Sequence, residues 1–368
     1  MHDEIAANIN LIASVVDRLL FSFILSFLLT IMPGDRSMTI SRRNFIVAAS
    51  AAGAGMALSP LALAQAAAET GSSNVQKPSQ VENPGFHRFQ LGEFEITTLS
   101  DGRRAGEAPE KTYAINQDPK EVAALLETNM LPADRFVNSF TPVLINTGKD
   151  LVLFDTGMGA GARANGQGKL VSALEASGYK ASDVSLVVLS HFHGDHIGGL
   201  MEDGKPAFAN ARYAAGQKEF DFWTDPARLD SPMKGGAELV GKNVKPLAEK
   251  ITFLEDNSEV VPGIHALAAF GHTPGHLIFR VESGGKQLVL ISDTANHFVI
   301  TLQRPDWHVA FDVDKETAVA TRKRVFDMLA VERLPFIGYH MPFPAVAYLE
   351  KDGAGYRYVQ ESYQLRDM

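Results

Sequence analysis

From about residue 86 onward, apolar positions come in short runs separated by turn-forming residues, the pattern of a sheet-rich chain with intervening helices. Phe86 to Leu99 alternates apolar and polar residues around Gly92 and predicts a two-stranded hairpin, closed by Asp101-Gly102. Asp118-Pro119 followed by Lys-Glu-Val-Ala-Ala-Leu-Leu-Glu predicts a helix with Asp at the N-cap and Pro in the first turn. Thr141–Asn146 and Leu151–Asp155 read as two further strands, and Thr156–Arg163 as a Gly-rich loop bordering a site. That loop lacks the Lys-Ser/Thr of a P-loop and the Gly spacing of a dinucleotide fingerprint. Lys169–Tyr179 predicts an amphipathic helix stopped by Gly178, and Val184–Leu189 a buried strand. Ala214–Trp223 reads as a helix. Ile251–Leu254 and Ile264–Phe270 read as strands. Leu277–Glu282 and Gln287–Ile291 form a hairpin across Ser283-Gly-Gly-Lys286. Asp314–Leu334 is the strongest helix pattern, and Phe336–Tyr339 reads as a final strand. The second half thus repeats the plan of the first, without a residue-level repeat.

The first 64 residues differ in character. Ser41-Arg42-Arg43-Asn44-Phe45-Ile46 is a twin-arginine pattern, followed by an Ala/Gly-rich apolar stretch and small residues at Ala62-Leu63-Ala64. Residues 38–64 are therefore expected to be a twin-arginine signal peptide, with the twin-arginine export machinery as partner and the periplasm as destination. The run Leu19–Met32 is short for a membrane span. Residues 1–37 read as an over-long gene start, or alternatively as a membrane anchor through 11–32, and 65–85 as a polar linker. The expected catalytic unit is 86–368.

Composition narrows the chemistry. There is no Cys, which excludes disulfides, thiolate metal sites and a Cys nucleophile. A net charge of −9 without a long basic run argues against nucleic acid as a partner.

The decisive stretch is Ser190-His191-Phe192-His193-Gly194-Asp195-His196. The chain has 11 His, yet three of them and an Asp fall within six positions. Such spacing is the usual trace of a metal site. A strand delivering His191 and His193 would point both the same way. Asp195 and His196 would then lie on the turn leaving it, facing a second metal. Three more ligand candidates, His272, Asp293 and His340, each follow an apolar strand.

Taken with Phe154-Asp-Thr-Gly157, Gly271-His-Thr-Pro-Gly-His276, Ser292-Asp293 and Gly338-Tyr-His340, this order resembles the metallo-β-lactamase superfamily in its two-metal form. The resemblance implies an α/β fold, a four-layer αββα sandwich with the metals at one edge of two sheets. It implies His191, His193 and His272 on a first metal, Asp195, His196 and His340 on a second, and Asp293 bridging them. Two divalent ions are expected, Zn²⁺ first, with Mn²⁺, Co²⁺ or Fe²⁺ as alternatives. Asp155 is expected to orient a ligand His, and His276 to support the site without ligating. Asp195 and Asp293 are the expected catalytic residues.

Further stretches are similar to the methyl parathion hydrolase and lactonase group: Leu91–Gly102, Gln217–Trp223, Val261–Leu267 and Gly353–Tyr358. That likeness implies an aromatic pocket, with Trp223 on its wall and Phe192, Phe140, Phe298 and Trp307 as further candidates. The implied activity is hydrolysis of a small lactone or ester by a hydroxide shared between two metals. Segment 294–307 is unlike its counterpart in the phosphotriesterase members, so phosphotriesters are at most a side activity. Two alternatives use the same ligands: an iron-dependent sulfur or thiol oxidoreductase of this fold, and a metal-binding protein without catalysis. Related enzymes also make a homodimer an expectation.

Overall fold

The computed structural model describes residues 85–362. The twin-arginine stretch, the segments 1–37 and 38–64, and all but the last residue of the 65–85 linker lie outside the described residues. Among the described residues, no helix is long and apolar enough to cross a membrane.

The chain opens with the expected hairpin, β1 (Phe86–Leu91) and β2 (Phe94–Leu99), paired antiparallel. A separate ribbon follows, β3 (Gly102–Glu107) with β4 (Arg135–Phe140), and between its strands lie α1 (Pro109–Tyr113) and α2 (Pro119–Thr128). The Asp118 side chain accepts from the Lys120 N–H, as the N-cap reading required. Then come β5 (Val143–Asn146), β6 (Leu151–Phe154), α3 (Leu170–Ala176) and β7 (Leu186–Leu189). A one-turn helix α4 (Gly194–Ile197) and a small ribbon, β8 (Met201–Glu202) with β9 (Lys205–Pro206), precede β10 (Arg212–Gly216). Helices α5 (Gln217–Thr224) and α6 (Lys234–Asn243) lead to β11 (Ile251–Leu254). The second half runs through β12 (Glu259–Val261), β13 (Ile264–Ala268), β14 (Leu277–Ser283) and β15 (Lys286–Ser292). It continues with α7 (Ile300–Gln303), α8 (Lys315–Glu332), β16 (Phe336–Gly338), β17 (Val346–Asp352) and β18 (Gly355–Gln360).

Two seven-stranded sheets result, ordered β1-β2-β5-β6-β7-β10-β11 and β12-β13-β14-β15-β16-β17-β18. Strand alternation explains the layers. Val152, Phe154, Leu186 and Val188 of the first sheet pack with Ile264, Ala266, Phe279 and Leu290 of the second in one core. Their neighbours Leu151, Leu153, Val187 and Leu189 face the other way, onto Leu170 and Leu174 of α3 and Val240 of α6. On the far side, Val325, Phe326 and Leu329 of α8 pack on the second sheet. Helices therefore cover both outer faces, giving the four-layer αββα order.

Several sequence expectations are corrected. Strand β7 stops at Leu189, so His191 and His193 sit on a loop beyond it, not on the strand itself. Asp195 and His196 belong to the α4 turn of helix. Ala214 to Gly216 end a strand; the helix there begins at Gln217. Phe336–Gly338 is not the last strand, since β17 and β18 follow it. Gly102 does not close a hairpin but starts β3.

Asp101, at that junction, is fully buried. Its carboxyl oxygens accept from the N–H groups of Met158 (2.8 Å), Leu170 (2.8 Å) and Gly168 (3.3 Å). It thereby pins the Gly-rich loop to the end of β2. Asp101→Ala leaves those donors facing a void and should cost about 3 kcal/mol in urea denaturation. Burial pushes the carboxyl up to about 6 against the pull of the three N–H groups. A carboxyl raised in the folded state contributes stability below its unfolded value, and loses that contribution as pH rises through about 6. Asp101→Asn should therefore lack the decline that wild type shows between pH 4 and 6.

Candidate metal centre

All seven ligand candidates converge at one edge of the two sheets, because each follows the end of a strand there. His191 and His193 leave β7, Asp293 directly follows β15, and His340 lies two residues past β16. His272 comes from the turn after β13. Two groups form: His191, His193, His272 and Asp293, and beside them Asp195, His196 and His340. The atoms that could take a metal lie within 4.8 Å of one another in each group.

Asp293 reaches both. Its Oδ2 is 3.2 Å from His272 Nε2 and 3.1 Å from His340 Nε2, while Oδ1 is 3.2 Å from His196 Nε2. Asp195 Oδ2 lies 3.4 Å from His340 Nε2 and 3.5 Å from His196 Nε2. His193 Nδ1 and His272 Nε2 stand 2.9 Å apart.

The donor set fits divalent metal. His191 Nε2 is buried with no hydrogen-bond partner among the described residues, and His196 Nε2 and Asp293 Oδ1, also buried, face each other at 3.2 Å without hydrogen-bond geometry. Leaving buried polar atoms bare costs about 1–3 kcal/mol each. A cation that takes their lone pairs removes that cost. Nitrogen and oxygen donors suit several divalent ions.

The opposite ring nitrogens are held in place. Asp155 Oδ2 lies 2.9 Å from His196 Nδ1, Asp312 Oδ1 lies 2.8 Å from His272 Nδ1, and the Ser139 carbonyl lies 2.9 Å from His340 Nδ1. Such partners fix ring orientation and leave Nε2 for the metal. Asp155 also accepts from the backbone N–H and the hydroxyl of Ser190, both at 2.8 Å. Ser292 in turn donates to Ser190 Oγ at 2.7 Å, tying the ends of β15 and β7 across the two sheets. Asp155 and Ser292 adopt left-handed backbone, with φ of 61° and 43°. His276 stays behind the ligands: Nδ1 meets the Ala269 carbonyl at 2.9 Å, and Nε2 accepts from the Asp293 N–H at 3.2 Å.

Sequence reasoning singled out neither Glu219 nor Asp312, Arg322, Asn296 and Tyr339. Glu219 is fully buried and joins the two His loops. Its carboxylate accepts from the Phe192 N–H (2.9 Å), the Gly275 N–H (2.9 Å) and Trp223 Nε1 (2.8 Å). Gly275 is required there, since a Cβ would fall 2.1 Å from the Glu219 nitrogen. Asn296 donates to Asp293 Oδ2 at 3.0 Å. Tyr339 donates to the Asp195 carbonyl at 2.6 Å, with its ring against His196. Glu219 shares the buried face of α5 with Trp223, and a carboxylate within a helix carries no local mark of such a role.

A cavity of about 820 Å³ opens beside Asp195. Phe140, Met158, Met201, Leu239 and Arg104 contribute to its wall. Of the five aromatics expected to line the pocket, Phe140 does so, with its ring edge-on to His340. The other four pack elsewhere. Phe192 is buried in the core beneath the first sheet. Trp223 is buried too, edge-on to His193 and bonded to Glu219, so it braces a ligand from behind. Trp307 packs in a cluster with α2, and Phe298 stacks on His297. The pull of the apolar core on these rings outweighs any role at the opening.

Without metal, the charges balance by sharing protons. Burial holds His191 well below the ordinary imidazole range and brings His193 down to about 3. Burial also opposes the charged form of His272, but its bonds to Asp293 and Asp312 outweigh that and raise it to about 9. Asp293, Asp195 and Asp155 overcome the same penalty at His196, and Asp293 and Asp195 do so at His340; both are raised. Asp293 itself is held well below the usual carboxylate range, because His340 and His196 overcome its burial.

Comparison with known proteins agrees with this geometry. Residues 139–334 match the metallo-beta-lactamase superfamily. The chain is 27% identical over 209 residues to an N-acyl homoserine lactonase of Bacillus cereus, a match spanning 54% of this chain and 76% of that protein. Among solved structures, AidC, a dizinc quorum-quenching lactonase in complex with a product N-hexanoyl-L-homoserine, superimposes with a TM-score of 0.70. It is 28% identical, over 76% of this chain and 98% of that one. The hydrolase AbOPH gives a TM-score of 0.68 at 26% identity, with the same coverage.

Because His272 is raised to about 9 and His196 well above the ordinary imidazole range, metal binding at neutral pH must displace protons from them. Calorimetric titration of the metal-free protein with Zn²⁺ at pH 7, in buffers of differing ionisation heat, should show net proton release. Apparent affinity should rise with pH up to about 9, the value to which His272 is raised. Affinity that is flat over pH 6 to 9 would contradict the arrangement.

Proposed function

Because the chain belongs to the metallo-beta-lactamase superfamily, we propose that it is a two-metal hydrolase that opens small lactones, N-acyl homoserine lactones among them. The observation that carries this reading is Asp293, whose carboxylate reaches both ligand groups, while Asp195 of the second group lines the open cavity. The likeness to lactonases that cover three quarters or more of their own length supports the substrate class.

When bound, two divalent ions supply Lewis acidity toward the ester carbonyl and an activated water at neutral pH. His191, His193 and His272 would hold one ion, Asp195, His196 and His340 the other, with Asp293 between them. The protein's own residues do the rest. Asp293 is buried and kept anionic, so it cannot compete as an acid. Asp195 is more exposed, at 22% of its side chain, and lines the cavity. It is therefore the ligand carboxylate placed to take the proton released by the attacking water and pass it to the alkoxide that leaves when the ring C–O bond breaks. Water is consumed and a hydroxy acid results. Phe140, Met158, Met201 and Leu239 give one part of the cavity an apolar, adaptable wall suited to an acyl chain, beside the charged Arg104, Glu202, Asp203 and Lys242.

One feature outside the described residues completes the proposal. The twin arginines at Arg42 and Arg43 would send the folded, metal-loaded chain to the periplasm. Phosphotriesters would be a side activity on the same centre.

A hydrolysis screen over acyl homoserine lactones, simple γ- and δ-lactones, aryl esters and methyl parathion, with metal measured on the same sample, tests the reading. Lactones should be cleaved with the highest kcat/KM and about two metals should be found per chain. Asp293→Asn should remove activity by at least about 10³-fold and Asp195→Asn by about 10²-fold. A fully metal-loaded protein that opens no lactone or ester would sink it.

A further inference from the structure

Arg322 lies in the middle of α8 and is 1% exposed, the largest fully buried side chain among the described residues. A buried guanidinium is tolerable only when its donors and its charge are satisfied. Here they are satisfied by loop carbonyls on one side and by the carboxylate that holds a ligand histidine on the other. Nε donates to the Thr294 carbonyl at 3.2 Å, and Nη1 donates to the carbonyls of Pro305 and Trp307, both at 3.0 Å. Those three carbonyls span the segment 294–307. The other arm, Nη2, meets Asp312 Oδ2 at 2.9 Å. The second oxygen of Asp312 holds His272 Nδ1 at 2.8 Å.

The same segment reaches the metal site at its other end, where Asn296 donates to Asp293. A closed loop of contacts therefore runs from His272 through Asp312 and Arg322 to the 294–307 backbone, and through Asn296 back to Asp293. His272 and Asp293 belong to the same ligand group.

We infer that Arg322 is a positioning residue that couples metal binding at the His191, His193, His272 and Asp293 group to the conformation of segment 294–307. Metal at Nε2 of His272 orients the ring toward Asp312, and Asp312 anchors the guanidinium. The guanidinium then holds three carbonyls that have no strand or long helix to satisfy them. Lysine has one ammonium and cannot span four acceptors in a plane, whereas the guanidinium can. The inference rests on the metal reading of the ligands, and metal binding by wild type tests that reading separately.

The test uses the full chain, metal-free and Zn²⁺-loaded, as wild type, Arg322→Met, Arg322→Lys and Asp312→Asn. Hydrogen exchange is followed across 294–307, and Zn²⁺ affinity is measured by competition with a chelator. In wild type, Zn²⁺ should slow exchange across the segment. Arg322→Met should lower Zn²⁺ affinity roughly 10- to 100-fold and abolish that protection. Arg322→Lys keeps a charge opposite Asp312, so its affinity should stay within about threefold of wild type, while exchange across 294–307 rises. Asp312→Asn should lower affinity and weaken the protection together.

Should Arg322→Met fold with wild-type affinity and intact Zn²⁺-dependent protection, the side chain is a core staple only and the coupling is wrong. If that variant does not fold, Arg322→Lys and Asp312→Asn decide, and unchanged protection in both overturns the inference. Absence of Zn²⁺ binding by wild type would instead overturn the metal reading, and the coupling with it.

Discussion

Everything at the working edge of this protein depends on one buried carboxylate that two sets of histidines must share. Asp293 is 3% exposed and lies 3.1–3.2 Å from His272, His340 and His196. A lone anion at that depth is prohibitively costly, and so is a cluster of imidazolium ions. Only their mutual proximity makes either tolerable, and divalent cations make it favourable. The two sheets must therefore end at the same edge, and the strands there must deliver ligands at fixed spacing.

That demand is met at a local cost. Asp155 and Ser292, both adjacent to ligands or their supports, adopt left-handed backbone that side chains other than Gly seldom take. Their hydrogen bonds show why the conformation is held. Asp155 gathers His196 and Ser190, and Ser292 reaches Ser190 from the opposite sheet. Glu219 works the same way one layer out, binding the 192 and 275 amides so that the two His loops cannot part. Arg322 and Asp312 close the remaining side. Asp155, Glu219, Asp312 and Arg322 are buried ionisable side chains whose hydrogen bonds go to loop backbone or to other buried side chains of the site, which rigidifies the site that the loops must form.

Much of this was legible along the chain. Strand and helix placement followed from apolar runs, from Asp118 and Asp314 at helix starts, and from the Gly-Gly turn between β14 and β15. The seven ligands were visible because His and Asp at that density have few other uses. Trp223 and Phe192 were misplaced for a simple reason: an aromatic beside a motif looks the same whether it faces an opening or a core. The ribbon β3–β4 and the strands β17–β18 were missed because their sequences are polar on exposed faces and lack clean alternation.

What the sequence determined by itself was the set of seven candidate metal ligands and the α/β order that carries them, since both are encoded in local residue patterns. The tertiary structure alone decided which acid serves which histidine. It also decided that Trp223 braces rather than lines, and that Arg322 answers to Asp312. Arg322 and Asp312 stand 10 positions apart, and Asp155 and His196 stand 41 apart. No local spacing signals them, because Arg322 shares its stripe with Ala318, Val325 and Leu329 and only burial reveals that its charge must find a partner there.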